Sequence, residues 1–223
     1  LIEIKNLNKT FILKGRRKVV ADNLNVTFPT GASVALLGRN GVGKSTLLKM
    51  ISGVIEPDSG TIRSSGTISW PVGFAGSFHK ELSGCQNAKF IARIYGLDTK
   101  KFVDFVEDFA KLGDHFYLPV RTYSSGMRSR LAFGASMGVK FDTYLVDEVT
   151  SVGDADFKTR SRILFKDRIR SSGAILVSHS MRKVRKMCDC GAILENGKMT
   201  FYQDLDKAIR HHVNNLGGDL DDD

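Results

Sequence analysis

Residues 38–46, Gly38-Arg39-Asn40-Gly41-Val42-Gly43-Lys44-Ser45-Thr46, bring glycines, a lysine and two hydroxyls into one short stretch. From Gly38 through Gly43 to Lys44 and Ser45 they fit the G-x-x-x-x-G-K-[ST] pattern. The chemistry this permits is anion capture. Glycines let the backbone curl until its N–H groups point inward at phosphate oxygens, and a following helix adds the positive end of its dipole. Lys44 then reaches the β- and γ-phosphates and Ser45 ligates Mg²⁺. Gly38, Asn40, Gly41, Gly43 and Thr46 complete the cradle. A second set lies downstream, where Tyr144-Leu145-Val146-Asp147-Glu148 is an apolar run ending in two acids. Asp147 is placed to hold the Mg²⁺ shell, and Glu148 to polarise a water against the γ-phosphate.

These groups need a strand before the loop and a helix after it. Ala32-Ser33-Val34-Ala35-Leu36-Leu37 suits a buried strand, and Thr46–Ile51 is apolar at helical spacing. The wider chain reads as three stretches. Residues 1 to about 70 are strand-rich (Ile2–Leu7, Val19–Phe28, Val34–Leu37, Thr61–Ile68). Residues about 80–140 are mainly helical (Asn87–Tyr95, Lys100–Leu112). Residues about 142–205 alternate strand and helix, with strands at Tyr144–Asp147, Ala174–Ser178 and Ala192–Glu195. This alternation predicts an α/β fold with a largely parallel sheet. The helices in the middle predict an inserted helical subdomain over about 74–140. Residues 206–223 form a terminal helix and acidic tail, and residues 1–223 make one domain.

Composition limits the function classes. The apolar runs are far shorter than the roughly 20 residues of a membrane helix, and the N-terminus opens on strand-like Leu1-Ile2-Glu3-Ile4 with no signal-peptide pattern. Cys85, Cys188 and Cys190 are too few and too badly spaced for a disulfide framework, which predicts reduced thiols in the cytoplasm. The net charge of +9 allows nucleic acid, an anionic membrane or polyphosphate ligands, but no nucleic-acid module accompanies it. His115, in a loop, and His211 and His212, on the terminal helix, read as solvated. Trp70, beside Pro71 at a strand end, reads as a core or interface anchor before a sugar-stacking platform.

The order of further motifs carries a family resemblance. Tyr123-Ser124-Ser125-Gly126-Met127-Arg128 resembles the Leu-Ser-Gly-Gly-Gln signature of ATP-binding-cassette ATPases. Ser151-Val152-Gly153-Asp154 resembles their D-loop, and His179, after Ile175-Leu176-Val177-Ser178, their switch histidine. Phe11 stands about where they place an aromatic on adenine. The match runs from residue 1 to about 205. The chain is therefore identified as resembling an ABC transporter nucleotide-binding subunit. The expected fold is a P-loop NTPase core with a mixed or parallel sheet, an N-terminal antiparallel β subdomain and a helical subdomain. The resemblance implies ATP and Mg²⁺, and a head-to-tail homodimer in which Ser124 and Gly126 meet the partner's γ-phosphate. Glu148, His179 and Lys44 are then catalytic. Integral-membrane permease subunits complete the machine, on the cytoplasmic face of a bacterial inner membrane.

Within the family, Ile68–Gly73, Tyr123–Arg130 and Val146–Asp154 look like ATPases of capsular-polysaccharide export, which implies a periplasmic and outer-membrane export apparatus and no nucleic acid. The alternatives are O-antigen or teichoic-acid export, import, and a soluble ABC ATPase acting on nucleic acid. One type of O-antigen exporter carries an extra C-terminal carbohydrate-binding domain, for which a chain stopping near residue 223 leaves no room. Two departures stand out. Ser125 and Met127 replace a glycine and the glutamine of the signature. The usual Q-loop glutamine is missing from Phe74–Leu82, and Gln86 falls too late to replace it, which leaves His79 or a backbone group for that role. A lone loop histidine is more often a surface residue.

Overall fold

The computed structural model describes residues 1–13, 15–73, 76, 78–147 and 154–217. Two sheets follow from two kinds of strand. β1 (Ile2–Leu13), β2 (Arg16–Phe28) and β4 (Ser59–Ser64) form an antiparallel sheet in the order β2-β1-β4. Ile4 pairs with Val26, and Phe11 with Lys18. Ile2, Ile4, Leu7, Leu24 and Phe28 are buried, while residues 16–19 of β2 are exposed. One face packs and the other meets water, as an antiparallel sheet allows.

The second sheet has the order β5-β6-β7-β3-β8-β9. Its strands are β5 (Ile68–Pro71), β6 (Thr143–Asp147), β7 (Gly173–Val177), β3 (Ser33–Leu37), β8 (Cys190–Glu195) and β9 (Lys198–Tyr202). The first five run parallel and β9 is antiparallel to β8. Every residue of β3 and β7 is buried, which suits unbroken apolar runs covered on both faces. The β8–β9 hairpin turns on Asn196 and Gly197, both at positive φ (48° and 77°), a pairing that two-residue hairpin turns favour.

The single strand expected over Thr61–Ile68 is instead two strands in different sheets. A turn separates them. The Ser64 hydroxyl donates to the Gly66 carbonyl at 2.7 Å, and Thr67 donates both its N–H and its hydroxyl to Asp142 at 2.7 Å.

α1 (Lys44–Ile51) buries Leu47, Leu48, Met50 and Ile51 in a cluster shared with β3 and the antiparallel sheet. α6 (Met181–Met187) is capped by Ser180. α7 (Leu205–Leu216) lies flush on β8, because a Cβ on Gly191 would meet the Ala208 Cβ at 2.5 Å. The remaining helices are α2 (Gly84–Ile94), α3 (Thr99–Ala110), α4 (Ser125–Gly138) and α5 (Ala155–Ser171). The Phe109 ring lies 5.7 Å from Phe133 and 5.4 Å from Phe157, forming an aromatic centre among α3, α4 and α5.

The chain divides into two compact units. One gathers Leu1–Pro71, Phe141–Glu148 and Ser171–Asp223, the other Val72–Lys140 and Val149–Arg170. The helical unit also takes in nearly all of α5.

Candidate active site

β3 delivers the chain into the phosphate loop and α1 leaves it. Gly38, Gly41 and Gly43 all have positive φ (145°, 78° and 117°). At two of them the space is also filled. A Cβ at Gly38 would lie 2.4 Å from the Leu194 carbonyl oxygen, and one at Gly43 would lie 2.5 Å from Val20 Cγ1. Gly43 is the N-cap of α1 with no side-chain cap, and the first turn holds no acid. The N–H groups there remain available to an anion.

Lys44 is only 9% exposed. Its ammonium donates to the Gly38 carbonyl at 2.6 Å and the Arg39 carbonyl at 3.0 Å, which holds it over the loop. Asn40 and Ser45 are exposed and Thr46 is half-buried. Phe11 is half-buried against the same core cluster as β3 and α1, with Lys9 Nζ 5.3 Å from its ring centroid.

Strand register brings the downstream groups to the same edge. Ala35 pairs with Leu176, Val146 also pairs with Leu176, and Asp147 pairs with Val177. Leu36, Asp147 and Val177 therefore lie at one level, and the phosphate loop, Asp147 and His179 emerge at that edge or just beyond it. The half-buried Asp147 and the Ser45 hydroxyl are hard oxygen donors of the kind Mg²⁺ takes. Glu148 and the D-loop residues Ser151, Val152 and Gly153 lie outside the described residues.

The signature motif belongs to the helical unit. Ser124 caps α4, its hydroxyl oxygen accepting the Met127 N–H at 3.2 Å. A Cβ on Gly126 would meet only the Ser124 hydroxyl, at an ordinary 3.8 Å. Tyr123 is buried, which raises its pKa, and its hydroxyl donates to the His115 carbonyl at 2.7 Å. Arg130 pairs with Asp154 at 2.7 Å. The Phe157 N–H bond and Arg130 hold the Asp154 carboxyl below the usual range.

Other expectations fare unevenly. Phe74, Ala75 and Ser77 lie outside the described residues. The Gln86 side chain is used locally, accepting the Ser83 N–H at 2.9 Å to close a capping box on α2. His79 is exposed, its backbone N–H bound by Asn87 at 2.9 Å. Trp70 packs edge-on against Phe141 at 5.4 Å, as an anchor does. All three cysteines are buried and unbridged. Burial, then Asp189, pushes Cys188 up to about 12 and Cys190 to about 11. No cluster of metal-ligating side chains occurs among the described residues.

His212 corrects the sequence reading. It is 8% exposed, since it continues the buried stripe of Ala208 and Ile209 on α7. Burial, then the charges of Lys44, His179 and His211, depresses its pKa. The i, i+4 spacing of Ala208 and His212 was the available signal.

The family model described as "ABC transporter" matches residues 21–151, which span the phosphate loop, the signature and the acid pair. The chain belongs to the ABC transporter family. It is therefore an ATPase that works with ATP and Mg²⁺ and couples hydrolysis to transport. Among curated ABC proteins it is 49% identical to the polysialic acid transport ATP-binding protein KpsT of Escherichia coli, covering 94% of this chain and 95% of that one. It is 39% identical to the capsule polysaccharide export ATP-binding protein CtrD of Neisseria meningitidis, covering 95% and 98%. The solved ATP-binding subunit of an ABC transporter superposes with a TM-score of 0.78 at 23% identity, covering 99% and 96%, which supports the ABC fold.

Proposed function

We propose that this chain is the ATP-hydrolysing subunit of an ABC exporter that carries a lipid-linked capsular polysaccharide across a bacterial inner membrane. The observation that carries the reading is the match, over nearly the whole of both chains, with the polysialic acid transport ATP-binding protein. In this reading the chain attaches peripherally, through permease subunits; no helix among the described residues is long and apolar enough to cross a membrane. α2 has a face suited to such a partner, with Phe90 59% and Ile94 61% exposed one turn apart. A periplasmic and outer-membrane apparatus would continue the route.

The chemistry assigned to the site is phosphoryl transfer from ATP to water. The loop N–H groups and Lys44 hold the phosphates. Ser45 and Asp147 hold Mg²⁺, which neutralises charge on the phosphate oxygens. Glu148 takes a proton from the attacking water, so that oxygen bonds to the γ-phosphorus as the bond to ADP breaks. His179 donates to the γ-phosphate and stabilises charge during transfer. Ser124 and Gly126 of a second copy complete the cage, and only a nucleotide with a γ-phosphate reaches them. ATP thereby favours the closed dimer and hydrolysis releases it. The helical unit passes closure to the permease.

Co-purification of the chain with its membrane partner, followed by analysis of the bound glycolipid, tests the substrate. A capsular polymer supports the proposal. A lipid-linked O-antigen or a teichoic-type polymer refutes it, and recovery with nucleic acid refutes the exporter assignment.

A further inference from the structure

A pocket beside Ser124 contains groups to which the ATPase reading gives no task. It has a volume of about 300 Å³ and is lined by Lys111, Leu112, His115, Ser124, Gly126, Met127 and Arg130. Arg130 is already committed to Asp154. Lys111 meets Asp156 only at 3.8 Å, and its side chain is 56% exposed. The exposed His115 ring forms no hydrogen bond or ion pair among the described residues.

Both side chains share the scaffold of the signature. Lys111 ends α3 as a left-handed C-cap (φ 46°), a position usually given to glycine or asparagine. The His115 carbonyl accepts the hydroxyl of Tyr123, the residue before Ser124. Met127 brings no donor to this wall. The cavity is at the small end of ligand pockets, about 300–1,000 Å³, so it suits one part of a nucleotide better than a whole one. Lysine, arginine and histidine line the wall, with Arg130 balanced by Asp154 and Lys111 only loosely by Asp156, which leaves Lys111 and His115 to attract an anion.

We propose that Lys111 and His115 bind the phosphate chain of the nucleotide held by a second copy of this chain, beside Ser124 and Gly126. The proposal rests on the composite-site reading above. It makes the ATP preference of the closed dimer depend on charge from α3 and the turn after it, not on the signature alone. Because the contact is cationic, its contribution weakens with salt.

The test uses the full chain and three variants: Lys111→Ala, Lys111→Arg and the double variant Lys111→Ala/His115→Ala. Ser124→Arg serves as the control for the composite site. Fluorescent-ATP binding is measured at protein concentrations low enough to keep subunits apart, and turnover at high concentration across a salt series. Binding to the separated subunit should be unchanged in all variants. The double variant should raise KM for ATP about tenfold at low salt, with a smaller ratio at high salt, and Lys111→Arg should recover most of the loss. If Ser124→Arg stops turnover while the double variant keeps wild-type KM, the proposal is wrong and the composite site stands. A silent Ser124→Arg overturns both. Loss of binding in the separated subunit also overturns the proposal, since Lys111 and His115 would then serve their own subunit.

Discussion

Gly43→Ala should disable the phosphate loop for two separable reasons. The backbone sits at φ 117°, which an L-residue adopts only with strain of about 1–3 kcal/mol. The new methyl would also lie 2.5 Å from Val20 Cγ1, closer than real Cβ contacts come. Val20 is β-branched and 1% exposed, so it has no free rotamer to retreat into. Overpacking of this kind costs about 1–3 kcal/mol more. The total, about 2–6 kcal/mol, is a large share of a domain's stability. Val20→Ala deletes the closest atom and leaves Val20 Cβ at 3.3 Å, a contact that small shifts relieve. Alone it should cost about 1–3 kcal/mol. In the double variant the steric part should vanish and the φ strain remain, giving a favourable coupling of about 1–3 kcal/mol. Urea unfolding of the wild type, both single variants and the double variant measures this, and titration with a fluorescent ATP analogue measures the loop. ATP affinity should fall at least tenfold in Gly43→Ala, equivalent to about 1.4 kcal/mol, and recover in part when Val20→Ala is added. Additive unfolding energies, or wild-type affinity in the single variant, would refute the packing argument.

Glu148→Gln should keep ATP binding and lower turnover by about 10²-fold or more, with dimer accumulating in ATP and Mg²⁺ on light scattering; wild-type turnover removes Glu148 from the base role. His179→Ala should lower the rate constant by a similar factor of about 10², and an unchanged rate in single-turnover assays returns this residue to a structural role. Lys44→Ala should abolish hydrolysis and weaken nucleotide binding; a steady-state rate within about twofold of wild type contradicts the loop assignment. Thiol titration at pH 8 should leave Cys188 and Cys190 nearly unreactive in the folded chain, because their thiols titrate at about 12 and 11, and expose both in urea. Rapid labelling of either in native protein would contradict its burial.

The groups whose work is done by backbone and spacing were legible in the sequence. Gly38 to Ser45 announced strand, turn and helix, and the β6 run announced Asp147 at a strand end. Elements with weaker hydrophobic contrast were not. Residues 16–18 of β2 pair with β1 while exposed, so no apolar alternation marks them. β9 was missed although Asn196-Gly197 is a strong hairpin signal. The start of α2 is written in Ser83 and Gln86 as a capping box, a local use that competes with reading Gln86 as a displaced Q-loop glutamine. His212 was misjudged because a terminal helix suggested solvent, whereas Gly191 lets α7 press its inner stripe onto the sheet.

The strand order has a consequence for how the chain comes into being. β3, which feeds the phosphate loop, has β7 and β8 as its two neighbours, and both come from the last quarter of the sequence. During synthesis β3 leaves the ribosome early and waits on the order of ten seconds for its partners, at about 5–20 residues per second. The segments of the helical unit emerge in that interval, with α2, α3 and α4 following one another closely and able to pack locally. The nucleotide cradle is thus among the last parts to form although its residues are among the first made. A nascent chain stalled before residue 173 holds the whole phosphate motif without the sheet that shapes it.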